Sequence, residues 1–411
     1  MKKQIILLLL AGFPAFGLAQ YSRATRTDGP CTEQMAQNHK GRWVNNGDLL
    51  FENKLGSQSE MMKRLDEIHK MVVALYPEPL GKDLGWHRVI RNNTFGGKVT
   101  TDKTRDGVIR HYRTLEGIPV ADNYYSVWIY NYLCNYENKN EIVGGFPGVT
   151  SAGLQVAINC LDNFVGTDAG ECMRINGIPV GMRRPVQTTW KGYEIAYHPQ
   201  STSTRSVLIH RKGMLPYIPV TRKQYLDHSI EHLTEIMNEQ VKMQMDIPVR
   251  SLKEQEEEKK KKLEKFEKDF GKDPKRLKSA VDYYLAGYKT EQEQRDERVK
   301  QAKKTWEEVL KLYRDELENS GRLGLLDSPA IVVDMHSPDK NVLGIFTTEK
   351  EGGGMLVTEN PAYLRNDLPK YVPQFMTLYW STHDDHPPEA KFAGLIKEKF
   401  PVEKLAAMID R

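Results

Sequence analysis

Beyond its first twenty residues the chain lacks any apolar run approaching the twenty or so residues that cross a bilayer, so the sequence predicts no membrane span. It also lacks a strong charge of either sign. The formal net charge is +4 over 411 residues, and Lys2 and Lys3 supply two of those charges. So weak an excess excludes long-range attraction to nucleic acid or anionic lipid as an organising feature. No Gly-rich phosphate loop follows a strand, no Gly-x-Ser-x-Gly elbow is present, and no segment repeats at a fixed period.

Cysteine is scarce as well: Cys31, Cys134, Cys160 and Cys172. None lies in a Cys-x-x-Cys pair or beside a histidine, which removes the usual signature of a thiol nucleophile. An even number in an exported chain predicts disulfides, and four cysteines allow three pairings. Cys160 and Cys172 flank the turn-rich "LDNFVGTDAGE" and would close a short loop, which favours Cys160–Cys172 together with Cys31–Cys134. Four buried thiols are the alternative in a reducing compartment. Export itself is read from the opening "MKKQIILLLLAGFPAFGLAQ". Two lysines, a short apolar core and Gly17-Leu18-Ala19 have the order of a cleaved secretory signal over residues 1–20, with no cysteine at the cut to take a lipid. The expectation is a soluble mature protein, periplasmic or extracellular.

The remaining residues, roughly 390, suffice for two or three packed domains. Gln58 to Tyr76 places Met61, Met62, Leu65, Ile68, Met71, Val72 and Leu75 at helical spacing, with Pro77 and Pro79 as stops. From about residue 108 to 211 the period changes to two. Candidate strands lie at 108–115, 123–136, 153–161, 172–180, 186–197 and 204–211, with breaks such as "GGFPG" at Gly144 to Gly148. One helix before a meander predicts an α+β domain over 21–220, the helix laid on an antiparallel sheet.

At Thr221 the character changes to charged helix, and the segment 221–320 reads as a hairpin or small bundle. Thr221 caps a helix to about Met245, and a second runs to Phe270. Asp273 caps a third with Pro274 first, and a fourth covers Glu291 to Glu318. In the fourth, Val299, Ala302, Trp306, Leu310, Tyr313 and Leu317 form one stripe that must pack on something. From Arg250 to Glu318 there are 20 basic and 18 acidic side chains, interleaved. That pattern is a solvated, salt-bridged face and not a phosphate-binding surface, although a partner could dock there. Residues 321–411 return to strands (330–335, 342–348, 354–358, 374–380), with a hairpin turn at Gly352 to Gly354 and two closing helices. They are read as a second α/β portion that the helical segment interrupts.

Three stretches carry a resemblance: "LPYIPVTRKQYL" (Leu215 to Leu226), "MLVTENPAYLRNDLPKYVPQFMTLYW" (Met355 to Trp380) and "FPVEKLAAMID" (Phe400 to Asp410). In that order they resemble a group of secreted bacterial proteins of unknown function, over the C-terminal half. The resemblance implies export and a helical insertion, and no activity or catalytic residue comes with it.

Three clusters are candidate sites. His228-x-x-Glu231-His232 has the ligand order of one class of zinc peptidase, with Glu231 as the base and zinc as the implied cofactor. On a helical wheel, however, Leu226, Ile230, Leu233, Met237 and Val241 form the buried stripe, and the histidines fall opposite, away from the dry cleft a catalytic zinc needs. The expectation is an exposed, helix-stabilising face. "WSTHDDHPPE" (Trp380 to Glu389) crowds His383 and His386 with Asp384 and Asp385, either as metal ligands or as a polar turn that caps the next helix. "NYYSVWIYNYLCNY" (Asn123 to Tyr136) alternates Tyr124, Trp128, Tyr130 and Tyr132 with aliphatic residues. Amphipathic rings of that kind suit stacking on sugars or holding a peptide, or else pack beneath the first helix.

The functional expectation is an exported, non-enzymatic binding or structural protein without a cofactor. Its partner is a protein, a peptide or a polysaccharide, met at the aromatic strand or the helical arm. The rival expectation is a metal-dependent hydrolase.

Overall fold

The structure is a computed structural model that describes residues 23–50, 58–90, 98–103, 109–114, 123–135, 137–147, 153–161, 164–166, 174–175, 178–198, 201–333, 345–365, 367–369, 371–381 and 387–411. The proposed signal at 1–20 therefore lies outside the described residues. The fold is mixed α+β with antiparallel sheets, as the sequence predicts. It forms two compact units. One contains the described residues of 23–220, 330–333 and 346–411; the other contains those of 221–329, with Ile345.

The first unit is built on an eleven-stranded sheet. Its spine is the 12-residue strand Asn123–Cys134. One edge of the spine pairs with Lys82–Ile90. The other pairs with Leu154–Ile158 and then with Glu141–Pro147, the latter pairing shifting register between Asn131 and Tyr132. The sheet continues from Leu154–Ile158 through Met376–Ser381 and Ser201–Ile209 to Tyr193–His198 and Val186–Trp190. A strand near the C-terminus thus lies between two from the first half of the chain, and residues after the helical segment share the sheets of those before it.

Period-two alternation sends Tyr125, Val127 and Ile129 of the spine to one face. There they join Met61, Leu65, Ile68 and Val72 of helix Gln58–Leu75 in the main core. Full burial of such side chains stabilises by roughly 1.5–3 kcal/mol each. Helix Pro387–Lys399 adds Phe392 and Ile396 to the same core. A second, six-stranded sheet includes Ile178–Arg183, Gly354–Glu359 and Tyr217–Pro219. Phe164, Tyr217 and Val357 form a smaller core with Ala196 and Leu208 of the large sheet.

Several local expectations change. The stretch 186–197 is not one strand: Lys191 (φ 50°) and Gly192 (φ 84°) turn it into a tight hairpin with Trp190 opposite Tyr193. Left-handed values at both central positions are what the favoured two-residue turn requires. "GGFPG" is no break, since strand Glu141–Pro147 runs through most of it. Of the strand expected at 342–348, residues 345–348 are not extended into a ladder. Gly352 ends a single 3-10 turn, Glu349–Glu351, where a hairpin turn is expected. Strand Lys82–Ile90 is missed altogether, because it is buried on both faces and carries no alternation.

Cys31 and Cys134 are bonded, with 5.7 Å between their Cα atoms and a sequence separation of 103. The bond ties the segment before helix Glu33–Asn38 to the end of the spine. Cys160 is buried beyond strand Leu154–Ile158, and Cys172 lies outside the described residues.

The second unit holds four helices among the described residues. Arg222–Met245 and Glu291–Arg322 run antiparallel, shown by the pairs Tyr225–Tyr313 and Trp306–Gln240. Thr221 forms a capping box with Gln224. The predicted stripe is real: Leu310 and Tyr313 are buried, and Val299, Ala302, Trp306 and Leu317 are half-buried. Leu252–Phe270 and Pro274–Gly287 form a second pair, with Asp273 as the cap and Pro274 first.

A cross-link closing about 100 residues restricts the unfolded chain by about 3–5 kcal/mol. Replacing Cys31 and Cys134 together by Ser is expected to cost that much in guanidinium unfolding of the oxidised protein. A double variant as stable as the parent would show the bond to be dispensable.

Candidate functional site

The aromatic strand divides as its period requires. Helix Gln58–Leu75 covers the Tyr125 side, so Tyr124, Trp128 and Tyr130 occupy the opposite face and stay half-buried. His87 lies against Trp128, with ring centroids 6.3 Å apart and 26° between planes. Gly85 stands opposite Trp128 in register, and a Cβ there would come within 2.4 Å of the Tyr130 ring. Tyr130 accepts a hydrogen bond from the Asn46 amide at 3.1 Å. Tyr132 does not belong to this row. It follows the register shift, is buried, and donates from its hydroxyl to Asp83 at 2.8 Å.

Helix Arg222–Met245 buries Tyr225, Leu226, Ser229 and Leu233. Glu231 and His232 are exposed on its other side, and His228 is half-buried. The two imidazoles lie nearly parallel, 5.9 Å apart. Partial burial, then the neighbouring His232, draw His228 below its ordinary value. Among the described residues no three His, Cys, Asp or Glu side chains are grouped to hold a metal ion. His383, Asp384, Asp385 and His386 lie outside the described residues.

A different site stands out in the second unit. Between Leu252–Phe270 and Pro274–Gly287 runs a groove of about 1080 Å³. Its floor is a chain of rings: Phe266 meets Phe270 at 6.3 Å and Tyr284 edge-on at 5.7 Å, and Tyr284 meets Tyr288 at 5.7 Å. Lys259 Nζ sits 4.5 Å from the Tyr288 ring centre and Lys262 Nζ 5.6 Å from that of Phe266. Ammonium groups over rings at these distances gain a modest attraction while still facing water. Tyr283 stands on the rim, 85% exposed.

The groove is shaped by a polar clasp at one end. The buried Gln255 amide donates to the Arg250 carbonyl at 2.7 Å and accepts the Glu291 backbone N–H at 2.8 Å. Arg250 bonds both Glu291 and Glu258 at 2.6 Å. Hydrogen bonds from the Arg250 backbone and side chain hold the Glu291 carboxyl below its ordinary range. No residue of helix Pro274–Gly287 is buried, and Gln255 alone is buried in Leu252–Phe270. The pair meets through its rings without a core beneath them. The i,i+4 aromatic pairs Phe266/Phe270 and Tyr284/Tyr288 were the available sequence signal, masked by the charges around them.

No protein-family model, no curated protein and no solved structure matches the chain.

One further buried group lies in the first unit. Lys82 heads strand Lys82–Ile90 and is 0% exposed, and its Nζ has no hydrogen-bond partner among the described residues. Tyr76 and Phe392 flank it, their ring centres 5.4 and 5.6 Å away. Asn131, opposite Lys82 in register, donates at 2.6 Å to Glu389, a carboxylate whose charge acts on the amine. Burial pulls Lys82 down to about 7, against a partial rise from Glu389 and a further lowering from Lys391. Burial also pushes Glu359 up to about 8.

These two groups give opposite slopes of stability with pH. From about 4.5 to 8, folded Glu359 keeps a proton that the unfolded chain releases, so stability falls as pH rises. From about 7 to 10.5, folded Lys82 refuses a proton that the unfolded chain holds, so stability rises with pH. The interval from about 8 to 10 lies above the Glu359 window and reports the lysine. Lys82→Met is expected to flatten that rise and to stabilise near neutral pH by several kcal/mol, the full shift being on the order of 5 kcal/mol. Denaturant midpoints of the two proteins across that interval are the measurement; parallel profiles would refute the assignment.

Proposed function

We propose that this chain is an exported binding protein that engages a segment of a partner protein in the groove between Leu252–Phe270 and Pro274–Gly287. The observation that carries the reading is that two helices meet through a row of rings left open on one side. Amphipathic helices owe most of their stability to an apolar face packed against something. Here that face is only half covered, and large exposed apolar surfaces mark interaction sites. A helix or an extended segment laid into an apolar groove is a recurring recognition mode.

Around the same end, Met243, Met245, Leu252 and Leu285 are exposed as well. Export is supported by the pattern of residues 1–20 and by the Cys31–Cys134 bond, since disulfides persist in oxidising compartments. No helix among the described residues is long and apolar enough to cross a membrane. The half-buried Tyr124, Trp128 and Tyr130 are the secondary candidate.

Selection of a random 12-residue peptide library on the immobilised full chain tests the reading. Enriched peptides are expected to lose at least tenfold in affinity for Tyr283→Glu, a rim substitution that disturbs no packing, and for Phe266→Ala. Repeated failure to enrich any peptide, or peptides that bind parent and both variants equally, would refute it.

A further inference from the structure

We infer that the groove's occupant is an acidic amphipathic protein segment, one that sets apolar side chains on the ring floor and carboxylates against the lysines along the rim. The inference rests on the binding reading given above and adds the charge and chemical class of the partner.

The charges lining the groove are unequally engaged. Its two carboxylates, Glu258 and Glu291, both bond to Arg250, so the clasp neutralises them at one end. Lys289 is paired with Glu297, which lies outside the lining. Lys259 has one loose contact, 3.8 Å from Glu256. Among the described residues Lys262 has no carboxylate within ion-pair distance. What faces the open part of the groove is therefore two ammonium groups poised over aromatic rings, Lys259 with only its loose contact to the exposed Glu256 and Lys262 with no carboxylate partner among the described residues. A ligand carboxylate would meet these charges at the cost of at most that one loose contact, whereas a basic ligand would meet repulsion.

The geometry of the rings then selects among acidic ligands. Phe266 and Tyr284 cross at 76°, and Tyr284 and Tyr288 at 60°. Edge-to-face packing of this kind makes a corrugated floor with recesses for branched or aromatic side chains. A pyranose ring stacks on a flat, open ring face, and Tyr284 is engaged by a ring on each side. The floor therefore favours a peptide over an acidic polysaccharide. A helical segment would complete a third side to the helix pair and cover the half-buried seam of Leu263, Phe266, Val281 and Tyr284.

Two synthetic 16-residue probes separate the possibilities, one with Glu and the other with Lys at every charged position, both with the same Leu and Trp positions. Anisotropy titrations against the full chain are expected to show the Glu peptide binding at least tenfold more tightly than the Lys peptide. That preference should shrink with added salt and disappear in Lys259→Glu/Lys262→Glu, which change the half-buried Lys259 and the exposed Lys262 on a helix that stays capped. Equal or tighter binding of the Lys peptide, binding of neither, or an oligogalacturonate that outcompetes the Glu peptide would each overturn the inference. If the library selection still yields groove-dependent peptides in those cases, the groove remains a binding site and only its charge preference is wrong. If the selection fails as well, both readings fall together.

Discussion

The first unit depends on the register of one strand. Asn123–Cys134 is paired along both edges, so each of its side chains has only two directions available. A slip of one residue would exchange Tyr125, Val127 and Ile129 for Tyr124, Ser126 and Trp128 beneath helix Gln58–Leu75. That exchange would drive a serine hydroxyl and an indole N–H into a core of Leu, Ile and Val. The nine-residue pairing with Lys82–Ile90 prevents it, and Gly85 contributes at one point where no side chain larger than hydrogen fits beside Tyr130. Packing of the helix, placement of His87 against Trp128 and burial of Tyr132 all follow from that register.

The second unit solves a different problem, because its outer helix pair has no apolar core. Local terms take over. Ser251, Asp273 and Thr290 each cap a helix, and Ser251 and Thr290 do so in reciprocal boxes with Glu254 and Glu293. Each such cap stabilises by about 1 kcal/mol. The Gln255 clasp then fixes where the helix starting at Leu252 meets the one starting at Glu291. A buried amide with both ends satisfied specifies geometry without costing the desolvation penalty of an orphan. Helices held in this way can leave their rings facing water, which a pair relying on hydrophobic packing alone could not do.

Much of this was legible in the sequence where a local rule and the tertiary fold agree. The first helix, the spine strand, the caps at Thr221 and Asp273, and the buried stripe of the fourth helix are periodic or punctuated, and they fall as expected. The wheel holds for the buried Leu226 and Leu233 and the exposed Glu231 and His232, whereas His228 is half-buried and Ile230, Met237 and Val241 are only partly covered. Legibility fails where burial is imposed from elsewhere. Nothing local to Lys82-Asp83 says that Tyr76 and Phe392 will enclose the lysine while Tyr132 and the Arg42 backbone bond to the aspartate. Likewise, "GGFPG" punctuates only until a neighbouring strand supplies the ladder that extends Glu141–Pro147.

The groove was hidden for a more instructive reason. Counting 20 bases against 18 acids from Arg250 to Glu318 gives near neutrality, and near neutrality suggests a surface with no preference. A count treats every charge as equally available, but Coulomb energy depends on which charges are already paired. Arg250 is one residue of that count, yet it occupies two carboxylates at the clasp and removes both from the field along the groove. Lys259 and Lys262 lie over rings, with Lys259 only loosely in contact with Glu256, and so keep most of their charge for whatever enters. A segment that is neutral by composition thus presents a cationic slot, because the aromatic residues decide where the lysines rest. The charge pattern and the ring pattern carry no meaning separately; the site exists only where the fold superimposes them.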